Sequence, residues 1–159
     1  MNEHSNIFIN KKILIYGLGK SGLSTFNFLR NKKNKIYLYD DKKKNLILLN
    51  QIKKMQFDAV ILSPGIDINK CKLSKFLKKN LKIIYTDLDI FYTFNDNHCI
   101  TITGTNGKST TCRLLYEVLK TQKIDARLAG NIGYPILSIK RFKKKTIFVI
   151  EASSYQLAY

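Results

Sequence analysis

The sequence predicts an α/β protein built from two successive parallel-sheet units, and three observations carry that prediction. Short apolar runs rich in β-branched residues alternate with stretches of helical spacing, the pattern of strands joined by right-handed crossovers. Two of the runs end in glycine-rich turns that open helices, Gly17-Leu18-Gly19-Lys20-Ser21-Gly22 and Gly104-Thr105-Asn106-Gly107-Lys108-Ser109-Thr110. Between them, at Asn95-Asp96-Asn97, the pattern turns polar and divides the chain into residues 1–95 and 96–159.

In the first unit, Lys12 to Tyr16 reads as a strand, the glycines as a turn, and Leu23, Phe26 and Leu29 as one face of a helix. Ile36 to Tyr39 is a second strand ending at Asp40-Asp41, followed by a lysine-rich amphipathic stretch through Ile52. Ala59 to Leu62 is a third strand, ending in Ser63-Pro64-Gly65-Ile66. Leu73 to Lys79 reads as helical, and Lys82 to Tyr85 as a fourth strand. From Asp87 to Asn97 no clear period remains.

The second unit opens with the β-branched run Ile100 to Ile102, and its helix runs from near Ser109 to Thr121. A Gly130-Asn131-Ile132-Gly133 loop, a basic patch at Lys140 to Lys145, and an apolar strand Thr146 to Ile150 follow, with Glu151 at the strand end. A phosphate-loop domain normally holds more strands than these. The second unit is therefore expected to be cut short, with the strand at Ile147 to Ile150 left with an uncovered edge, loosely packed or prone to aggregate.

The octapeptide Thr103 to Thr110 reads as a phosphate loop: strand, glycine turn and helix start aim backbone N–H groups at one point that the helix dipole makes favourable for anions. Lys108 adds a point charge for the outer phosphates, and the Ser109 hydroxyl stands where such loops hold Mg²⁺. The first glycine of the general pattern is replaced by Ile102, so the loop is a variant. A nucleoside triphosphate is implied. Glu151, ending a strand of the same unit, is either a second Mg²⁺ ligand or an acid at a helix start.

Gly17-x-Gly19-x-x-Gly22, with Asp40 or Asp41 beyond it, fits a Rossmann-like dinucleotide fingerprint, or else glycines that only let strand and helix pack closely. Ser63 to Ile66 is either a turn or part of a ligand rim at the carboxyl end of a strand. Asn131 marks either a left-handed turn or an amide offered to substrate.

Composition narrows the classes. Cys71, Cys99 and Cys112 are too irregularly spaced for a disulfide framework or zinc knuckle. His4 and His98 are too few for a histidine metal site or triad. No apolar run reaches the roughly 18 residues of a membrane span, and the start lacks signal-peptide order, so the chain reads as cytoplasmic. The net charge of +17 comes mostly from dispersed lysines, with only Arg30, Arg113, Arg127 and Arg141 as arginines. That balance argues against a sequence reader, which uses arginine for bidentate base contacts.

Taken together, the Gly17 to Gly22 turn, Ser63-Pro64-Gly65-Ile66, Gly104 to Thr110, Gly130 to Gly133 and Glu151-Ala152-Ser153-Ser154-Tyr155-Gln156-Leu157 resemble the Mur ligase family in order and spacing. Within it, Asn106 argues against the L-alanine-adding branch, and the other motifs favour the D-glutamate-adding one. The resemblance implies a Rossmann-like UDP-substrate domain over 1–95 and the start of a P-loop, ATP-binding central domain over 96–159. The implied activity is ATP- and Mg²⁺-dependent addition of D-glutamate to UDP-N-acetylmuramoyl-L-alanine in peptidoglycan synthesis, through an acyl phosphate.

By the same resemblance Lys108, Asn131 and Glu151 are catalytic, Gly104, Thr105, Asn106, Gly107, Lys108, Ser109 and Thr110 bind ATP, and Ser109 and Glu151 bind Mg²⁺. Lys20, Ser21, Asp41, Lys42 and Gly65 hold the UDP moiety, and Asn131 the muramoyl substrate. Neither nucleic acid nor membrane is an implied partner, and the complete enzyme is expected to be a monomer. The family's modified lysine, remaining central strands and C-terminal domain lie beyond this sequence, so turnover by this chain alone is not expected. A non-catalytic nucleotide-sugar binding module and another Mur ligase are the alternatives.

Overall fold

A computed structural model describes residues 7–44 and 46–157. Met1 to Asn6 with His4, Asn45, and Ala158-Tyr159 lie outside the described residues. The chain is α/β, with strands β1 (Lys12–Tyr16), β2 (Lys35–Tyr39), β3 (Ala59–Leu62) and β4 (Ile84–Tyr85) forming a parallel sheet in the order β2-β1-β3-β4. Strands β5 (Cys99–Ile102), β6 (Ala126–Gly130) and β7 (Ile147–Glu151) form a second parallel sheet in the order β5-β7-β6.

The alternation of side chains along a strand builds the first unit's three layers. Ile13, Ile15, Ala59 and Ile61 face helices α1 (Lys20–Leu29) and α4 (Asp87–Phe94). Leu14, Tyr16, Val60 and Leu62 face α2 (Leu49–Ile52) and α3 (Ser74–Lys79). Because both faces are covered, these strands read as continuous apolar runs.

The α1/α4 side does not end at the first unit. Phe148, Ile150 and Ala129 of the second sheet, with Ile136 and Leu137 of a 3-10 turn at Ile136–Ser138, join the same buried cluster. The ring of Phe91 on α4 meets that of Phe148 on β7 edge to face, centroids 4.9 Å apart. One apolar core therefore crosses the polar stretch near Asn95. Helix α5 (Lys108–Thr121) covers the other face of the second sheet through the buried Cys112.

Several expectations are corrected. Residues 87–97 are not without structure, since α4 occupies Asp87–Phe94, and the Asp89 carboxylate accepts from the Thr86 N–H at 2.6 Å and its hydroxyl at 2.8 Å. Of the fourth strand only Ile84–Tyr85 pairs; Leu81–Ile83 is a 3-10 turn. Among the described residues of the lysine-rich stretch, only Leu49–Ile52 is helical.

The apolar strand near Ile147 has no uncovered edge. It is β7, the central strand, paired on both sides, and Phe148, Val149 and Ile150 are fully buried. The unforeseen β6 covers it. Its sequence Ala-Arg-Leu-Ala-Gly has little intrinsic strand preference and is extended by pairing with β7. All three cysteines are free thiols. No helix among the described residues is long and apolar enough to cross a membrane.

Candidate nucleotide site

In the order β2-β1-β3-β4 the chain reverses direction across the sheet between β1 and β3, and a doubly wound sheet binds ligands in the crevice beyond the carboxyl ends of such strands. The glycine turn follows β1 there and Ser63 follows β3. The turn is held by side chains and backbone on every side. Ser63 Oγ donates to the Gly17 carbonyl at 2.6 Å, and the Gly17 N–H donates to the Tyr39 carbonyl at 2.9 Å. At Gly22 a Cβ would fall on the Gly17 carbonyl oxygen, so only glycine lets α1 start this close to β1.

The two aspartates at the end of β2 separate into different roles. Asp40 accepts the Leu18 N–H at 2.7 Å and the Lys42 N–H at 2.9 Å, the first of which chiefly holds its carboxyl below the usual range. It is a brace for the turn. Asp41 accepts the Tyr16 hydroxyl at 2.8 Å through one oxygen, while the other, buried, has no hydrogen-bond partner. Burial, then the Asp41 hydrogen bond, push the Tyr16 phenol far above its ordinary range.

A cleft of about 560 Å³ opens here between the two units. All six residues assigned to the UDP-sugar line it: Lys20, Ser21, Asp41, Lys42 and Gly65 from the first unit and Asn131 from the second. Asn131 is exposed and is not at positive φ. The left-handed backbone belongs to its neighbours Gly130 at +101° and Gly133 at +72°.

In the second unit three strand ends converge. Glu151 on the central strand stands in register with Ile102, which leads into the phosphate loop, and with Gly130, which leads into the Asn131 loop. The Asn131 N–H donates to the Glu151 carbonyl at 3.0 Å, and a Cβ on Gly130 would collide with that carbonyl oxygen. Gly107, at φ +77°, caps α5, so the N–H groups of its first turn point out of the loop. Lys108 Nζ donates to the Gly104 carbonyl at 2.6 Å and the Thr105 carbonyl at 3.4 Å. Ser109 Oγ donates to Glu151 Oε2 at 2.6 Å. Gly104, Thr105, Asn106, Ser109 and Thr110 are exposed around this point, whereas Glu151 is buried.

Residues 102–159 match the Mur ligase middle domain. Nearly the whole chain is also similar to curated proteins named UDP-N-acetylmuramoylalanine--D-glutamate ligase. That of Haemophilus influenzae (strain PittEE) is 34% identical over 165 residues, 96% of this chain and 37% of the relative. That of Rickettsia prowazekii (strain Madrid E) is 36% identical over 165 residues, 96% of this chain and 36% of the relative. For Buchnera aphidicola subsp. Schizaphis graminum (strain Sg) the identity is 35% over 164 residues, 94% of this chain and 37% of the relative. This chain belongs to the Mur ligase family. It spans little more than a third of the length of these relatives.

The donor set of this Mur ligase chain fits Mg²⁺. The Ser109 hydroxyl and Glu151 carboxylate are hard oxygen donors already within hydrogen-bond distance beside a helix N-terminus. Among the described residues no group of three or more His, Cys, Asp or Glu could hold a metal unaided. Phosphate oxygens and water would complete the shell, as is usual for this ion. Two residues were given no role in the sequence reading: Asp87, which lines the cleft, and Gln156, quoted there only within a motif, which bonds to Asp87. The only sequence signal for the first was the capping pattern Thr86-x-x-Asp89 that starts its helix.

Proposed function

We propose that this chain forms the UDP-sugar and triphosphate-binding parts of an ATP-dependent ligase that joins D-glutamate to UDP-N-acetylmuramoyl-L-alanine in peptidoglycan precursor synthesis. The observation that carries this reading is the position of Glu151. It stands between the phosphate loop on β5 and the Asn131 loop on β6, and the Asn131 loop is also a wall of the cleft lined by Lys20, Ser21, Asp41, Lys42 and Gly65. A substrate whose nucleotide lies against the first unit would thereby extend its far end toward the phosphate loop. The names of the relatives supply the acceptor and the amino acid.

The chemistry is amide formation. The substrate carboxylate oxygen attacks the γ-phosphorus of ATP and the bond to ADP breaks. The D-glutamate amine then attacks the acyl carbon, phosphate leaves, and the nitrogen sheds a proton. Phosphoryl transfer of this kind depends mostly on position and on fixed charge. Lys108 and the N–H groups of the loop provide that charge for the transferring phosphoryl group. Ser109 and Glu151 would hold Mg²⁺, which neutralises phosphate charge when bound. Asn131 orients the muramoyl end, and Asp41 sits in the wall of the cleft beside the nucleotide.

Calorimetric titration tests the reading. UDP-N-acetylmuramoyl-L-alanine is expected to bind, and Asn131→Ala to weaken it about tenfold, the effect of losing a hydrogen bond in a desolvated site. Phosphate release that requires both UDP-N-acetylmuramoyl-L-alanine and D-glutamate establishes the ligase. Without release, binding of both UDP-N-acetylmuramoyl-L-alanine and ATP supports the two binding parts, binding of the muramoyl nucleotide without ATP assigns the chain a nucleotide-sugar binding role, and absence of binding removes both.

A further inference from the structure

Asp87 is the most deeply placed carboxylate at the cleft, with 4% of its surface exposed, and the chemistry above does not use it. It is the first residue of α4, yet the start of that helix is already capped by Thr86 and Asp89. Its two oxygens accept from opposite units instead. Oδ2 takes the hydroxyl of Ser21, from the glycine turn after β1. Oδ1 takes Gln156 Nε2 at 2.8 Å, from the 3-10 turn Ser154–Leu157 after β7.

The Gln156 amide cannot simply turn over. Its Oε1 accepts the Ser153 N–H at 2.9 Å and the Ser153 hydroxyl at 3.1 Å, which leaves the NH₂ facing Asp87. Burial raises the carboxyl of Asp87 above its ordinary range, the sign of a group held there at a cost in desolvation. A buried carboxylate held only by neutral donors is weak evidence of stability, since its desolvation offsets the hydrogen bonds it accepts. Its position is the more informative property.

We propose that Asp87 is a positioning residue that joins the glycine turn of the first unit to the turn after β7, and through Ser21 sets the uridine-diphosphate wall of the cleft relative to the phosphate loop. This rests on the cleft being the UDP-sugar site. The shared core between the units fixes their packing. The Asp87 joint fixes the polar edge at which ligand is held.

The test uses the full chain, with uridine diphosphate and ATP as probes. Asp87→Ala leaves the Ser21 hydroxyl and the Gln156 amide both without their acceptor. Asp87→Asn can satisfy both, its oxygen accepting from Gln156 and its NH₂ donating to Ser21 Oγ. Without ligand, Asp87→Ala is expected to speed amide exchange at residues 19–24 and 153–157 together, by about tenfold, and Asp87→Asn to restore most of the protection. Uridine diphosphate affinity is expected to fall about tenfold in Asp87→Ala and recover in Asp87→Asn, while ATP affinity changes less than about twofold.

Exchange that quickens at neither segment or only one, or an Asp87→Asn protein as defective as Asp87→Ala, overturns the joint. Where Asp87→Ala does not fold, Ser21→Ala decides from the opposite unit: faster exchange at 153–157 supports the joint, and unchanged exchange there overturns it. If the wild-type chain fails to bind uridine diphosphate, the UDP-sugar reading falls, and the exchange result alone judges whether Asp87 couples the units.

Discussion

The molecule carries two glycine turns that each feed a strand into a helix, and they are built differently. The first, Gly17 to Gly22, is braced by Asp40, Ser63 and the backbone of β2, and its helix start packs against the strand with no room for a side chain. The second, Gly104 to Lys108, is exposed and closed mainly by its own lysine and by Thr111, whose hydroxyl donates to the Gly107 carbonyl at 2.9 Å. The difference teaches that similar glycine spacing can serve packing or access. The first turn is a packed wall; the second is a loop that leaves most of its residues accessible.

The largest expected effect comes from exchanging the two kinds of glycine. Gly22→Ala drives a methyl group into the Gly17 carbonyl and is expected to cost about 3 kcal/mol in urea unfolding, the upper range for overpacking. Gly107→Ala meets nothing within 4 Å and suffers only the φ of +77°, so about 1 kcal/mol is expected. Equal losses at the two positions would end the distinction between wall and loop.

Next in size is Lys108→Ala, which removes the charge at the open loop and leaves the braced turn intact. ATP affinity is expected to fall about 30-fold, as for a lost charge-assisted hydrogen bond, with uridine diphosphate affinity unchanged. A parallel loss of both ligands, read by calorimetry, would show that the two turns are not separate sites.

The smallest effect is in acid. Asp40 has a folded-state carboxyl held below its unfolded value, so between the two values it binds fewer protons folded than unfolded, and its contribution is fully present above the unfolded value. That contribution is lost as pH falls below the ordinary aspartate value of about 3.9 and through the lower folded value. Asp40→Asn is expected to flatten this acid limb of the stability curve by about 1 kcal/mol or less. An acid limb identical in the variant would show that the brace contributes nothing through its charge.

Much of the site was legible in the sequence because its chemistry is local. Strand, glycine turn and helix start are consecutive, so Gly17 to Ser21 and Gly104 to Thr110 stand out as candidate anion-binding ends before any contact is known. The lining of one cleft by Lys20, Asp41, Gly65 and Asn131 follows once the strands share a carboxyl edge. By contrast α4 was hidden because its apolar positions, Leu88, Ile90 and Phe91, face two packed elements and so blur the period of a single face. Strand β6 was hidden because Ala126 to Gly130 become extended only by pairing with β7.

The sequence by itself determined the α/β class, the two glycine turns and the acidic strand end at Glu151, since each depends on neighbours within a few residues. Only the tertiary structure decided that β7 is central, that one apolar core spans both units, and that Ser21, Asp87 and Gln156 meet. The partners of Asp87 lie 66 and 69 residues away along the chain. Such contacts have no periodicity to betray them; they form where packed strands and helices bring distant ends of the chain to one edge.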